Sequence, residues 1–421
     1  MGRFPGRRQR GAGPNLTLSH DMKGVMEKIA HSLLRDMKTK PADAQIPVIV
    51  KYGKFHKRPL ETLLAGTRPS RTFRIIHAAA LTTTPKVIES LSRDPDVERI
   101  WPDLPVRVCL DASVPLIGAP QVWEAGYTGK GVKIAILDTG IDPYHPDFAG
   151  RIAAAADFTG EGPQDQDGHG THVAGIAAGS GRASKRRYRG LAPEASLYIA
   201  KVLGREGAGL MSDVMAGIEW AVEQEVDIIN LSLGGAPPCD GTDALSETCD
   251  VAVEKGYVVC VAAGNGGPAP YTIGPPGCAK QVITVGASTD QDEVADFSSR
   301  GPTTDGRIKP DILLPGASII SCRAKDTSLG NPVGENYTEL SGSSMATPHA
   351  SGIAALVLQA RPELTPAQLK ALLMETALDL GLSPNDQGAG RADAYAAYLE
   401  ELTPVTPSPG GKGCLLRLLG L

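Results

Sequence analysis

Between residues 132 and 285 the chain carries five short, nearly continuous apolar runs: Val132 to Leu137, Ser196 to Val202, Val226 to Leu231, Val258 to Ala262 and Val282 to Val285. Rich in Val and Ile and lacking polar alternation, they read as strands covered on both faces. Met211 to Gln224, Ala244 to Lys255 and His172 to Ala178 place apolar residues at helical spacing between them. This alternation predicts an α/β domain on a doubly wound, mainly parallel sheet with helices on both faces. Ligands of such sheets collect at the carboxyl ends of the strands.

Upstream, Met22, Met26, Ile29, Leu33 and Met37 form a stripe at helical period, which predicts one amphipathic helix within an extension of residues 1 to 45. Residues 46 to 110 read as a separate small unit. Val48 to Tyr52 and Phe73 to Leu81 are extended, a helix starts near Thr84 and Pro85, and a return strand follows at Val97 to Ile100 or Val106 to Val108. Thr suits the cap and Pro the first helical position. The proline-bearing stretch Asp111 to Pro120 reads as a linker into a main domain of residues 111 to 400, and 401 to 421 as a tail.

Composition is that of a globular chain: 421 residues, 42% apolar and 21% charged, with no apolar run long enough to span a bilayer. Charge is divided unevenly. Residues 1 to 60 hold 13 Lys/Arg against 4 Asp/Glu, and the remainder 29 against 43. No nucleic-acid reading module accompanies the basic arm, so it reads as a solvated tail, and neither nucleic acid nor a membrane span is expected. Arg3, Arg7, Arg8 and Arg10 precede no apolar core of a secretory leader, which makes cytoplasmic the expected location. Seven cysteines without a CxxC pair argue against a disulfide scaffold or a zinc site and leave room for a local Cys239 to Cys249 bridge.

The strand-end rule selects residues for chemistry. Asp138 ends VKIAILDTG, Asn230 and Ser232 end IINLSLGG, and Asn265 follows VVCVAAGNG. Ser344 lies in SGSSMATP just inside the start of a helical run, where free backbone N–H groups favour developing negative charge. His169 sits in DGHGTHVAG, whose glycines admit neighbouring backbone. His172 and His349 read as packed helix residues.

Three of these segments, DTGID, GHGTHVAG and GSSMATPHASG, stand in the order Asp, His, Ser and resemble the subtilisin-like serine proteases, the subtilases, over residues 120 to 400. The resemblance implies a subtilisin-like fold with Ser344 as nucleophile, His169 as general base and then acid, and Asp138 orienting the imidazole. It makes Asn265 a side-chain donor to the oxyanion hole, with the Ser344 N–H as its partner. It makes Ser232, Leu233 and Gly234 a wall of the specificity pocket, and the Glu206 to Gly209 segment, with Gly207, Ala208 and Gly209, the strand that pairs with extended substrate. Broad endopeptidase specificity with some preference for large apolar residues follows, with peptide or protein substrates as partners.

The family pattern further implies that residues 46 to 110 are a small α+β, ferredoxin-like prodomain that inhibits its own enzyme and is removed by self-cleavage, leaving a product that begins between Val108 and Val114. No cofactor is required. Asp147 in HPDF matches a position where the family holds calcium, as an optional structural ion, but the loop that would complete the site, SGRASKRRYRG, offers five basic residues and no carboxylate. Asp157, Asp165 and Asp167 read as surface carboxylates. G-x-S-x-G, Walker A and H-E-x-x-H patterns are missing, and a peptide-binding pseudoenzyme is the alternative from a different class.

Overall fold

A computed structural model of the chain describes residues 28–30, 33–34, 37, 39–53, 64, 66–73, 77–103 and 110–400. The chain divides at Arg107/Val108 into two compact units. Most of the helix expected over Met22 to Met37, and the alternative return strand Val106 to Val108, lie outside the described residues.

In the first unit, β1 (Ile46–Tyr52), β2 (Arg71–Phe73), β3 (Ala78–Thr83) and β4 (Val97–Pro102) form an antiparallel sheet in the order β2-β3-β1-β4. The run expected as one strand from Phe73 is thus two paired strands. Helix α1 (Pro85–Ser92) links β3 to β4 and starts on Pro85 as expected, although the Thr84 side chain makes no capping bond. Val48, Val50, Leu81, Ile88 and Ile100 are wholly buried together, which is what the alternation of β1 and the stripe of α1 require. Ile29 bridges to Ile100 as a single extended residue instead of lying on a helix.

The second unit opens with two short helices, α2 (Leu110–Leu116) and α3 (Ala119–Glu124), where a linker was expected. Its core is a seven-stranded sheet of β5 (Lys133–Asp138), β6 (Ile152–Asp157), β7 (Ser196–Lys201), β8 (Ile228–Leu231), β9 (Val258–Ala262), β10 (Ile283–Ser288) and β11 (Ile312–Pro315). Every pairing is parallel, in the order β11-β10-β9-β8-β5-β7-β6. The strands read as continuous apolar runs because both faces are covered. In β5, Ile134 and Ile136 enter one core while Ala135 and Leu137 enter the other.

Helix α4 (His169–Ala178) packs into the first of those cores, and α5 (Met211–Glu223) and α6 (Ala244–Glu254) into the second. Strands β12 (Ile319–Cys322), β13 (Asn331–Val333) and β14 (Tyr337–Leu340) make a small antiparallel sheet. The long helix α7 (Ser343–Ala360) and α8 (Pro366–Glu375) complete the first core. From β5 the order departs toward β7 and β6 on one side and β8 on the other, so the carboxyl end of β5 is a topological switch point. Among the described residues no helix is long and apolar enough to cross a membrane.

Cys239 pairs with Cys278, so the local Cys239 to Cys249 bridge for which the sequence left room does not form. Cys249 is a buried free thiol on α6. Segments remote in sequence meet beside β9, where Cys278 packs with Ala263 and Ile273.

Candidate active site

Asp138 is the last residue of β5 and is fully buried. Its Oδ1 takes the Thr139 N–H at 2.8 Å and lies 2.7 Å from His169 Nδ1. Two glycines make this approach geometrically feasible. A Cβ on Gly170 would stand 2.2 Å from the Gly140 carbonyl oxygen, and one on Gly140, at φ +107°, would stand 2.5 Å from that of Pro163. The DTG and GHG motifs are therefore two halves of one close backbone contact.

His169 is the first residue of α4, capped by Gly168 in the left-handed region. Burial lowers its pKa, but the Asp138 charge and hydrogen bond, with Asp167 and Asp165 beyond, leave it net raised.

Ser344 is the second residue of α7, so its N–H belongs to the first turn, where N–H groups lack intrahelical acceptors. Pro348 stands one turn later and has no N–H for the Ser344 carbonyl. Ser232 Oγ donates to that carbonyl at 2.9 Å, and Ser344 Oγ donates to the Ser232 carbonyl at 2.9 Å. The serine hydroxyl thus rests on Ser232 and not on the imidazole. Behind it, Asn230 Nδ2 donates to Ser232 Oγ and Ser351 Oγ to Asn230 Oδ1.

Ser344 and His169 nevertheless line one cleft of about 520 Å³, bordered on one side by Gly207, Ala208 and Gly209 and on the other by Ser232, Leu233 and Gly234. Asn265 and Ser344 share a second recess that continues past Leu233 and Gly234 to Gly274. Asn265 Oδ1 accepts from Ser343 N at 2.8 Å and from Ser343 Oγ at 3.0 Å, which commits its carbonyl end and leaves the NH₂ end as donor.

Asp165 is a correction: it is buried, and its carboxylate accepts from Thr139 Oγ1, Thr171 Oγ1 and the Asp167, Gly168 and Thr171 N–H groups. It anchors the loop that carries His169 and, through Thr139, the residue after Asp138. Lys201, also fully buried, donates to the Thr139 and Leu203 carbonyls beneath the same corner. Thr171, six residues after Asp165 and in the first turn of α4, was the available sequence clue, since its hydroxyl can bind an acid in the turn before the helix. His172 and His349 are buried and kept neutral, with pKa lowered by burial to about 3 and about 4.

Calcium does not fit at Asp147. Its carboxylate already accepts from Gly181 N, Ala183 N, Tyr337 OH and Cys322 Sγ, so the loop presents donors where calcium needs oxygens. The Arg151 guanidinium donates to the Asp147 and Ala178 carbonyls, supplying a positive charge from the chain itself. His145, Asp147 and Cys322 also approach within metal-ligand spacing. There His145 Nδ1 accepts from Asp147 N and Nε2 bonds the Asn336 carbonyl, which occupies both nitrogens.

Over residues 129–391 the chain matches the Subtilase family. It is 42% identical over 350 residues to Serine protease AprX of Bacillus subtilis (strain 168), covering 76% of this chain and 79% of that protein. It is 39% identical over 325 residues to Subtilisin E of the same organism, covering 76% and 80%. Among solved structures, Sphericase aligns with a TM-score of 0.55 at 34% identity over 63% of this chain and 92% of that one. A cold adapted subtilisin-like serine proteinase aligns at 0.52 and 32% identity over 63% and 88%. Parallel sheet, cleft and likeness together define a serine endopeptidase. The chain belongs to the subtilase family.

Proposed function

We propose that peptide bonds are cleaved at this cleft with Ser344 as nucleophile, His169 as proton carrier and Asp138 as the group that orients the imidazole. The observation that carries this reading is the 2.7 Å contact of Asp138 with His169 in the cleft that Ser344 also lines. When substrate enters, the Ser344 hydroxyl turns from the Ser232 carbonyl to His169 Nε2. Its proton passes to the imidazole as Oγ bonds the scissile carbonyl carbon, and the carbonyl π electrons move to oxygen. The Asn265 NH₂ group and the Ser344 N–H hold that oxyanion. Collapse breaks the C–N bond as the imidazolium gives its proton to the leaving amine, and water repeats the cycle on the acyl enzyme.

Substrate lies extended between Gly207–Ala208–Gly209 and Ser232–Leu233–Gly234, bound through its backbone. Residues 46 to 110 act as an inhibitory, self-removed prodomain of ferredoxin-like type. Support comes from the β2-β3-β1-β4 antiparallel order with α1 crossing between β3 and β4. Labelling with a serine-directed phosphonate tests the core of the reading: the intact enzyme gains one adduct mapped to Ser344, and Ser344→Ala gains none. An adduct at another residue, or none on an enzyme that hydrolyses peptides, overturns it.

A further inference from the structure

The two segments that shape the recess shared by Asn265 and Ser344 are joined covalently behind it. One side is formed by Leu233, Gly234, Gly235 and Pro237, and the other includes Thr272 and Gly274. Cys239 follows Pro237 by two residues and Cys278 follows Gly274 by four, and their disulfide spans 6.1 Å between Cα atoms. Cys278 is wholly buried against Ala263, itself a lining residue of the recess.

The first segment is weakly built by itself. It is neither helix nor strand, Gly234 to Pro238 are exposed, and Pro237 and Pro238 bring no N–H. Gly235 N donates to the Pro275 carbonyl at 2.6 Å, and a Cβ on Gly274 would stand 2.1 Å from the Gly235 oxygen. Backbone meets backbone there, and the spacing holds only while the two segments stay pressed together. A covalent link between residues 39 apart in sequence supplies that restraint.

The bridge is also placed to be opened. Cys239 is half-buried beside the exposed Pro238, whereas Cys278 is fully buried, so a dithiol reductant meets Cys239 first. Its thiolate attacks Cys239 Sγ, and the electron pair of the S–S bond leaves on Cys278 Sγ. The second thiolate of the reductant then attacks the reductant's own sulfur in the mixed disulfide and releases Cys239 Sγ. Two protons complete two protein thiols, and the reductant is left as a disulfide.

We propose that the Cys239–Cys278 disulfide is a redox-sensitive positioning element of the recess. Closed, it holds the wall at the spacing that accepts a large apolar side chain; opened by a dithiol, it lets the wall relax and withdraws that selectivity. The inference rests on the reading that lays substrate between the two walls, with the side chain before the scissile bond in this recess, and deepens it by making selectivity depend on redox state.

Two peptides that differ only by Phe or Gly before the scissile bond provide the test, since Gly puts no side chain into the recess. The enzyme as isolated is expected to favour the Phe peptide in kcat/KM. In dithiothreitol the ratio falls about tenfold through the KM of the Phe peptide, the Gly peptide keeps its turnover, and reoxidation restores the ratio. Mass spectrometry of the Cys239–Cys278-linked peptide follows the bridge, and its loss should track the fall. An unchanged ratio once the bridge is gone overturns the proposal. So does an equal fall for both peptides, which a purely structural cross-link would give, or a bridge that dithiothreitol does not open in the native enzyme.

The double variant Cys239→Ser/Cys278→Ala is expected to show the low ratio and to ignore dithiothreitol; should it fail to fold, the wild-type titration decides by itself. Product inhibition separates this inference from the catalytic reading. A peptide ending in Phe fills the recess without being cut, and its inhibition constant should rise about tenfold on reduction, whichever residue is the nucleophile. Failure of the phosphonate to label Ser344 leaves that result standing. An inhibition constant indifferent to reduction overturns the inference even if Ser344 is labelled.

Discussion

Tyr337 donates its phenolic hydrogen to Asp147 Oδ2 at 2.9 Å, across 190 residues of sequence. With Gly181 N, Ala183 N and Cys322 it saturates a carboxylate that the family pattern would give to calcium, while Arg151 supplies the charge from within. Chelation with EGTA is therefore expected to leave kcat/KM and the thermal midpoint of the processed enzyme unchanged. Arg151→Met is expected to lose roughly 2–4 kcal/mol by exposing unpaired carbonyls, without rescue by calcium. A chelator-induced fall in midpoint that calcium reverses, and that Asp147→Asn abolishes, would contradict this account.

Under the proposed roles, loss of the nucleophile Ser344 and loss of the oxyanion donor Asn265 should separate kinetically. Ser344→Ala is expected to lower kcat by roughly 10⁴-fold or more. Asn265→Ala should lower it by about 10²–10³-fold, the size found for the side-chain donor in a subtilisin, with KM little changed because the donor acts on the transition state. Steady-state kinetics on one chromogenic peptide measure both. An Asn265→Ala enzyme with altered KM and intact kcat would move Asn265 from the oxyanion to ground-state binding.

With His169 as the proposed proton carrier, the acid limb of activity is expected to follow its titration. General-base action needs the neutral imidazole, and the net effect of Asp138 and its acidic neighbours over burial is a raised pKa. The profile of kcat/KM is expected to rise through a pKa above about 6.5. Asp167→Asn removes one of the charges that favour the imidazolium, so its acid limb should move to lower pH. Superimposed acid limbs for the two enzymes, measured with a neutral peptide, would rule this coupling out.

Much of this site is legible along the chain because its residues sit at strand ends and a helix start, where local pattern and function coincide. Asp138 closes an apolar run, and Ser344 opens a helix. Where tertiary contacts decide, the sequence is silent. Strand β6 reads IAAAAD, and alanine carries little strand preference, so β7 and not its own composition holds it in the sheet. Helices α2 and α3 contain Pro115 and Pro120 and look like a linker, yet Val114, Ile117 and Val122 are buried in the core. Asp165 resembles its exposed neighbours until Thr139 and Thr171 arrive from other segments. Cys278 is 39 residues from Cys239, and only the fold brings them together.

Two buried histidines are expected to lower stability in acid. His349 donates from Nδ1 to the Met345 carbonyl and contacts Ser113 Oγ through Nε2, while His172 Nε2 faces the Ile319 and Thr338 carbonyls. Their native pKa values of about 4 and about 3 lie below the ordinary imidazole value. Between roughly pH 6.5 and 4 the unfolded chain therefore binds protons that the native state refuses, and stability falls with falling pH. The loss is on the order of 3 kcal/mol per histidine over the window. Urea midpoints of Ser344→Ala, used to avoid self-digestion, should drop from pH 7 to 4.5. Adding His349→Gln should flatten the drop, and an unaltered slope would assign it to carboxylates.

Self-processing is the remaining prediction, and α2 narrows where it can occur. An extended substrate segment is needed to fill a cleft that binds backbone, and a peptide bond inside a helix is not presented in that form. Leu110–Leu116 is helical, Ser113 and Val114 are buried, and Ser113 Oγ meets His349 Nε2 at 3.0 Å on the helix that carries Ser344. Cutting between Ser113 and Val114 would require α2 to unravel and abandon that contact. The expected product therefore begins at Val108, Cys109 or Leu110, the amino-terminal part of the window that the sequence alone suggests. An amino-terminal unit already folded can deliver this segment at little further entropic cost, so cleavage should be intramolecular and its rate independent of enzyme concentration. Ser344→Ala should accumulate as a folded full-length chain. Intact mass and amino-terminal sequencing of both proteins from protease-deficient extracts decide the matter: the same cut in Ser344→Ala would identify an interdomain linker cleaved by another enzyme, and a terminus beyond Ser113 would show that α2 opens before cleavage.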